Sequence, residues 1–194
     1  MIAVLADLHL GHPGAPGLSW ALSALDRAHA AGARALVMLG DVIDRSEFTS
    51  ATYDEVDAFF AAAHGRFAEV PFIAANHAAH NDPREPLHPT EPHVFTCRGL
   101  RVVTASVAAD PDPRELSFPA ADLGLLHSSV EGQFSRKVCL PITQAALEAT
   151  GHPWVLGHVH VPHMLADAPF IGWVGMGQVL LVDPATRAVT QFTV

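Results

Sequence analysis

Short apolar runs that break abruptly into Asp, His or Asn are the feature that most limits how this chain can fold. Ile2 to Ala6 runs straight into Asp7-Leu8-His9, Ala35 to Leu39 into Gly40-Asp41-Val42-Ile43-Asp44, and Pro71 to Ala75 into Asn76-His77. Further on, Leu125-Leu126 is followed by His127, and Trp154-Val155-Leu156 by Gly157-His158-Val159-His160. A short apolar run bounded by polar residues suits a strand buried on both faces. Between the first runs, Leu18, Ala21, Leu22, Leu25 and Ala28 recur at helical spacing before Gly32, and Tyr53, Val56, Phe59 and Phe60 mark a second helix. Strand, helix, strand, helix, strand is the pattern of an α/β domain with a parallel sheet, and such sheets place ligands beyond the carboxyl ends of their strands. The polar clusters stand at those ends.

From Val94 onward the texture is richer in β-structure. Strands are expected at 94–97, 101–105, 122–126, 154–156, 170–174, 179–182 and 188–193, with a turn at Asp183-Pro-Ala-Thr-Arg187 joining the last two. A helix is expected over 143–149, with Pro141 near its start and Gly151 past its end. The second half thus reads as an additional sheet with one helix. Residues 78–92 carry prolines at 83, 86, 89 and 92 and no apolar periodicity, the mark of a long loop. His80, His88 and His93 in or beside it read as solvated.

At 194 residues, 49% hydrophobic and 16% charged, the chain is expected to be one domain over 1–194 with a real core. No apolar run reaches the roughly 18 residues that span a bilayer. The first six residues lack the basic start of a signal peptide. A cytoplasmic protein with no membrane partner is expected. Cys97 and Cys139 are too few for a disulfide framework and lack a metal-binding Cys-x-x-Cys spacing, so both are read as reduced and structural. The net charge of −9 argues against a broad basic face for nucleic acid. It does not exclude an anionic substrate, because bound dications would set the local field.

The chemistry lies in the clusters. In a strand, residues i and i+2 share a face, so the His158 and His160 rings could both reach one cavity. A mixture of carboxylate, imidazole and carboxamide donors suits Mn, Fe, Zn or Ni better than Ca or Mg. Seven such ligands with one shared carboxylate would hold two ions about 3.5–4 Å apart, the arrangement used for in-line displacement at phosphorus. Each cluster also has a purely structural reading. Asp7 could cap a turn, Asp41 or Asp44 a helix N-terminus, Asn76 could form an Asx-turn, and His127 could be a hydrogen-bonded core histidine.

In this order, Asp7-Leu8-His9, Gly40-Asp41-Val42-Ile43-Asp44, Asn76-His77, His127 and Gly157-His158-Val159-His160 resemble the five ordered motifs of the calcineurin-like metallophosphoesterase superfamily. The resemblance covers residues 7–160. Ala6 to Gly11 and Trp154 to His160 are also similar to the branch of bacterial DNA-repair exonuclease subunits of the SbcD kind, although no extra capping domain like theirs is expected within residues 1–194. The resemblance implies an α/β fold of a particular kind, a four-layer αββα sandwich with the site at the sheet edges. It implies that Asp7, His9 and His160 hold one divalent ion, Asn76, His127 and His158 a second, and that Asp41 bridges both. Mn is the ion expected first, with Fe, Zn or Ni as alternatives. His77 would be the non-ligand catalytic imidazole beside the scissile phosphate, and Asp44 would orient the loop without binding metal.

The implied activity is that of a phosphodiesterase, with a hydroxide formed between the ions attacking a phosphoester of a nucleotide-like small molecule or a nucleic-acid end. The alternatives are a non-catalytic scaffold of the same fold, a monoesterase or an exonuclease. One motif departs from the pattern. Ala75-Asn76-His77-Ala78 stands where the family has Gly-Asn-His followed by an acid. A side chain at 75 is costly if φ there is positive, and without the acid His77 lacks a partner that would fix its tautomer. Phe134, Arg136 and Lys137 could meet an anionic substrate or form a solvated basic turn.

Overall fold

The computed structural model describes residues 1–43, 50–76, 89–131, 134–135 and 137–194. Asp44 and His77 lie outside the described residues, as do His80, His88, Arg136 and most of the proline-rich stretch. In chain order the elements are β1 (Ile2–Leu5), α1 (Gly17–Ala30), β2 (Ala35–Leu39), α2 (Ser50–His64), β3 (Phe72–Ile73), β4 (His93–Cys97), β5 (Leu100–Ala105), β6 (Leu123–His127), α3 (Gln144–Ala149), β7 (Trp154–Gly157), β8 (His163–Asp167), β9 (Phe170–Trp173), β10 (Gln178–Val182) and β11 (Val189–Thr193).

The strands form two sheets, ordered β11-β10-β1-β2-β3 and β4-β5-β6-β7-β9-β8. β1, β2 and β3 run parallel, as do β5, β6, β7 and β9. Side-chain alternation then builds the layers. On β1, β2 and β10, Ala3, Leu5, Leu36, Met38, Val179 and Leu181 turn to one face and pack against Ala21 and Leu25 of α1 and Val56 and Phe59 of α2. Ile2, Val4, Val37, Leu39, Leu180 and Val182 turn the other way and meet Val102, Leu123, Leu125 and Val155 of the second sheet. The outer face of that second sheet buries Val103, Leu126, Trp154 and Leu156 under Leu147 of α3. Each fully buried Val, Leu or Ile contributes about 1.5–3 kcal/mol, so the two stacked sheets form a rigid base. The result is the expected αββα layering, with a fourth layer thinned to one short helix and irregular chain.

α3 begins one residue later than expected, because Thr143 is its N-cap and accepts the Ala146 N–H at 3.0 Å. Three expectations need correction. The third strand is only Phe72–Ile73, not 71–75. The strand β8 was not anticipated. His163–Asp167 is mostly exposed and sits at a sheet edge, so it lacks the apolar alternation that marks a half-buried strand. The C-terminal pair β10–β11 does not join the second sheet; β10 pairs antiparallel with β1 and widens the first. No helix among the described residues is long and apolar enough to cross a membrane.

Candidate metal centre

The parity that builds the core also aims the site. His127 is the last residue of β6 and has the same parity as Leu123 and Leu125, so its ring points between the sheets. Two glycines make room for it. A Cβ on Gly157, its partner on β7, would sit 2.7 Å from His127 Nδ1 and 2.7 Å from the Leu39 carbonyl. A Cβ on Gly40 would lie 2.5 Å from the same nitrogen and overlap the Cβ of Ala75.

Beyond β1 and β2 the chains stay paired, with Asp7 N–H donating to Gly40 O at 3.3 Å and His9 N–H to Asp41 O at 3.0 Å. Both segments turn through left-handed backbone: φ is 54° at Asp7, 45° at His9, 80° at Gly40 and 44° at Asp41. His158, after β7, has φ of 93°. Left-handed conformations at non-glycine residues are uncommon and cost roughly 1–2 kcal/mol each. Four of them around one cavity are the kind of strain that a packed scaffold sustains at a functional site. Ala75 is not in this class, so its Cβ carries none of the backbone cost anticipated from its sequence context.

The side chains converge in two neighbouring groups. In the first, the ligand atoms of Asp7, His9 and His160 lie within 4.8 Å of one another. His9 Nε2 and His160 Nε2 are 3.0 Å apart, and both Asp7 oxygens accept the His158 backbone N–H at 3.2 Å. In the second, His127 Nε2 stands 3.1 Å from Asn76 Oδ1 and 3.3 Å from Asp41 Oδ2. Asp7, Asp41 and His127 again fall within 4.8 Å of one another, which joins the groups. His158 packs its ring 5.1 Å from that of His127, centroid to centroid.

Two backbone carbonyls each place a proton on one imidazole nitrogen. Leu39 O, 3.2 Å from His127 Nδ1, can only accept, so Nδ1 carries the proton. His127 Nε2 faces the Asn76 and Asp41 oxygens: protonated, as the two carboxylates favour, it donates to Asp41, and neutral it turns a lone pair toward them. His158 Nε2 likewise lies 3.3 Å from the Lys137 carbonyl and 2.8 Å from Ser135 Oγ, which leaves its Nδ1 as the lone-pair nitrogen. With His127 neutral these groups converge as lone pairs, a set that fits a cation in place of the proton. The first group fits as well: His9 Nε2, His160 Nε2 and an Asp7 oxygen lie close enough together to be shared by one ion.

The electrostatics point the same way. Burial pushes the Asp7 carboxyl up to about 7, with Asp41 adding to the rise and His127 opposing it. Burial opposes the charged form of His127, but the Asp41 and Asp7 carboxylates outweigh it and raise its pKa. Burial, then the neighbouring His127, lowers His158 to about 4. Two buried carboxylates thus share a volume short of positive charge, and bound dications would supply it.

Of the nine positions singled out from sequence, seven are among the described residues, and Asp7, His9, Asp41, Asn76, His127, His158 and His160 all meet here. His158 and His160 both line one cavity, as expected, but from just past the end of β7 rather than within the strand; His158 turns toward His127 and His160 toward His9. Two participants were not anticipated. Cys139 was read only as structural, but its Sγ falls within 4.8 Å of ligand nitrogens on His127 and His158 while donating to His127 O. Ser135 holds His158. Neither has a local signal in the sequence, because long-range packing creates both contacts.

No protein-family sequence model and no curated protein sequence matches this chain. Solved structures do. A dimetal phosphatase from Danio rerio superposes with a TM-score of 0.63 at 13% identity, over 100% of this chain and 92% of that one. The fold is that of the calcineurin-like metallophosphoesterases. An archaeal phosphodiesterase shares this fold with a TM-score of 0.54 at 10% identity, over 100% of this chain and 99% of its own. A single-substitution variant of Vps29 from Entamoeba histolytica does so with a TM-score of 0.50 at 12% identity, over 100% and 97%. At these identities the metallophosphoesterase likeness is one of architecture.

Proposed function

We propose that the protein is a metal-dependent phosphoesterase, and specifically a phosphodiesterase carrying two divalent ions. The observation that supports this best is the convergence of His127 Nε2, Asn76 Oδ1 and Asp41 Oδ2, each a metal-ligand type of atom, beside the His9–His160 pair. In this reading Asp7, His9 and His160 hold one ion, Asn76, His127 and His158 the other, and Asp41 both. The oxygen and nitrogen donors favour Mn, with Fe, Zn or Ni as alternatives.

The ions would supply Lewis acidity toward water and the phosphoryl oxygens. The chain's part is orientation. Leu39 O and Ser135 fix the two imidazole tautomers, the His158 N–H holds Asp7, and the strained loops keep the donors in place before substrate arrives. His77, by its position in the motif, would stabilise charge on the phosphoryl group and protonate the leaving oxygen, and Asp44 would orient the loop. The substrate would be a small nucleotide-like phosphoester or the end of a nucleic acid, handled away from membranes, in the cytoplasm.

The test is hydrolysis of bis-p-nitrophenyl phosphate against p-nitrophenyl phosphate with Mn²⁺ added. Faster turnover of the diester is expected. Asp41→Asn should abolish activity and most metal binding, whereas His77→Ala should keep the metal and lower kcat on the order of 100-fold. Full activity in the Asp41→Asn protein would refute the reading. A second reading, a non-catalytic scaffold of the same fold, is favoured by Ala78, which stands where the motif has an acid. Bound metal without hydrolysis of either ester would support it.

A further inference from the structure

Beside the proposed metal centre lies a cavity of about 390 Å³, within the size range of small-molecule sites. Its two walls differ in chemistry. One presents Asp41, Asn76, His158 and His160; the other presents Phe134 and Val161. Phe134 is 47% exposed and Val161 69%, among the few large apolar side chains open to solvent in the described residues.

Phe134 is nevertheless held. Its ring lies 5.3 Å from the buried Trp173 indole in an edge-on arrangement, and 4.5 Å from the His163 ring. Trp173 is itself fixed by its Nε1–H donating to Ser128 O at 2.9 Å. The next residue in the chain, Ser135, makes the 2.8 Å hydrogen bond to His158 Nε2. An aromatic face supported from beneath and open to a cavity is thus one residue away from a side chain that orients a proposed metal ligand. The only charged side chain on this wall among the described residues, Lys137, is paired with Asp110 at 3.1 Å. Among the described residues this wall therefore offers stacking and apolar contact rather than a track for a polyanion.

We infer that Phe134 is a specificity-determining residue that stacks against a planar aromatic group carried on the phosphoester, so that the substrate is a small nucleoside or aryl ester rather than an aliphatic one. This rests on the metallophosphoesterase reading and narrows its substrate class. Stacking of a base on an aromatic ring strengthens binding on the order of tenfold, the low end of what loss of such a ring removes.

The test is calorimetric titration of the Mn²⁺-loaded protein with AMP, phenyl phosphate, ribose 5-phosphate and inorganic phosphate. The wild-type protein is expected to bind AMP or phenyl phosphate about tenfold more tightly than ribose 5-phosphate. Phe134→Ala should erase that preference, leaving the affinity for inorganic phosphate and the Mn²⁺ content unchanged, and Phe134→Trp should restore it. Preference for AMP would identify a nucleoside, and preference for phenyl phosphate a simple aryl group. If the affinity ratio is the same in Phe134→Ala as in wild type while phosphate still binds in a Mn²⁺-dependent way, the aromatic subsite is refuted and the metal reading stands. If phosphate binding does not depend on Mn²⁺, the metal reading fails and this inference with it.

Discussion

His127 and His158 show how single hydrogen bonds decide what a side chain can do. An imidazole ligates through one nitrogen only when the other is committed elsewhere. Leu39 O commits Nδ1 of His127, and Ser135 with the Lys137 carbonyl commits Nε2 of His158. The Leu39 contact cannot be removed by substitution, but the Ser135 contact can. Ser135→Ala leaves His158 with the 3.3 Å carbonyl contact alone, so the ring should wander. Metal affinity should fall about 10–100-fold, the usual cost of losing such a support, with the melting curve of the metal-free protein unchanged. Competition against a fluorescent chelator measures this, and an unaltered affinity would show that Ser135 plays no positioning role. The motif residues were legible in the sequence because each follows an apolar run. Ser135 and Cys139 were not, since contacts made by folding, rather than local pattern, bring them to His158 and His127.

At the scale of elements, the strands buried on both faces were the easiest to read and the exposed edge the hardest. β2 matches its expected bounds, Ala35–Leu39, because all five residues are buried and the flanks are polar. β8 has no such contrast. The approach to β7 holds a different kind of information. His152, just before Trp154, is 3% exposed, and its Nε2 has no hydrogen-bond partner among the described residues. Its ring lies 5.2 Å from that of Trp154. Burial lowers its pKa, with Arg187 acting in the same direction and Thr150 and Asp122 opposing. The folded-state pKa is thus below the unfolded value near 6.5, so the unfolded chain takes up the proton more readily. Stability attributable to this group is level above about pH 6.5 and is lost as the pH falls below it. His152→Phe should remove that component. Urea unfolding at pH 7.5 and 5.5 should show a smaller loss of stability in the variant than in the wild type, and equal losses would dismiss the buried imidazole as the cause.

At the scale of the whole molecule, the site exists because two sheets stack with their parallel strands ending at a common rim. The chain order of the motifs was readable from the residues, whereas the stacking of the sheets followed only from the family resemblance. The hydrogen bond from His127 to Leu39 joins residues 88 apart in sequence and belongs to different sheets. The return of β10 to β1 was hidden for a related reason. Its Val-Leu-Leu-Val run is buried on both faces and would suit either sheet. This architecture gathers the Asp7 and Asp41 carboxylates and four imidazoles at one end of the core, where burial penalises every unpaired charge. Unfolding would scatter these groups, so ions that bind the folded chain must stabilise it by mass action. One ion at about a hundred times its Kd adds roughly 2.7 kcal/mol, which for a protein of this size raises Tm by roughly 5–10 °C. Mn²⁺ should produce such a rise in a thermal melt of chelator-treated protein. Asp41→Asn, which removes the shared carboxylate, should lose most of it. Ser135→Ala should keep the rise but require more metal to reach it. A melting temperature indifferent to Mn²⁺ in the wild type would mean that the converging lone pairs do not form a metal centre, and the catalytic reading built on them would fall.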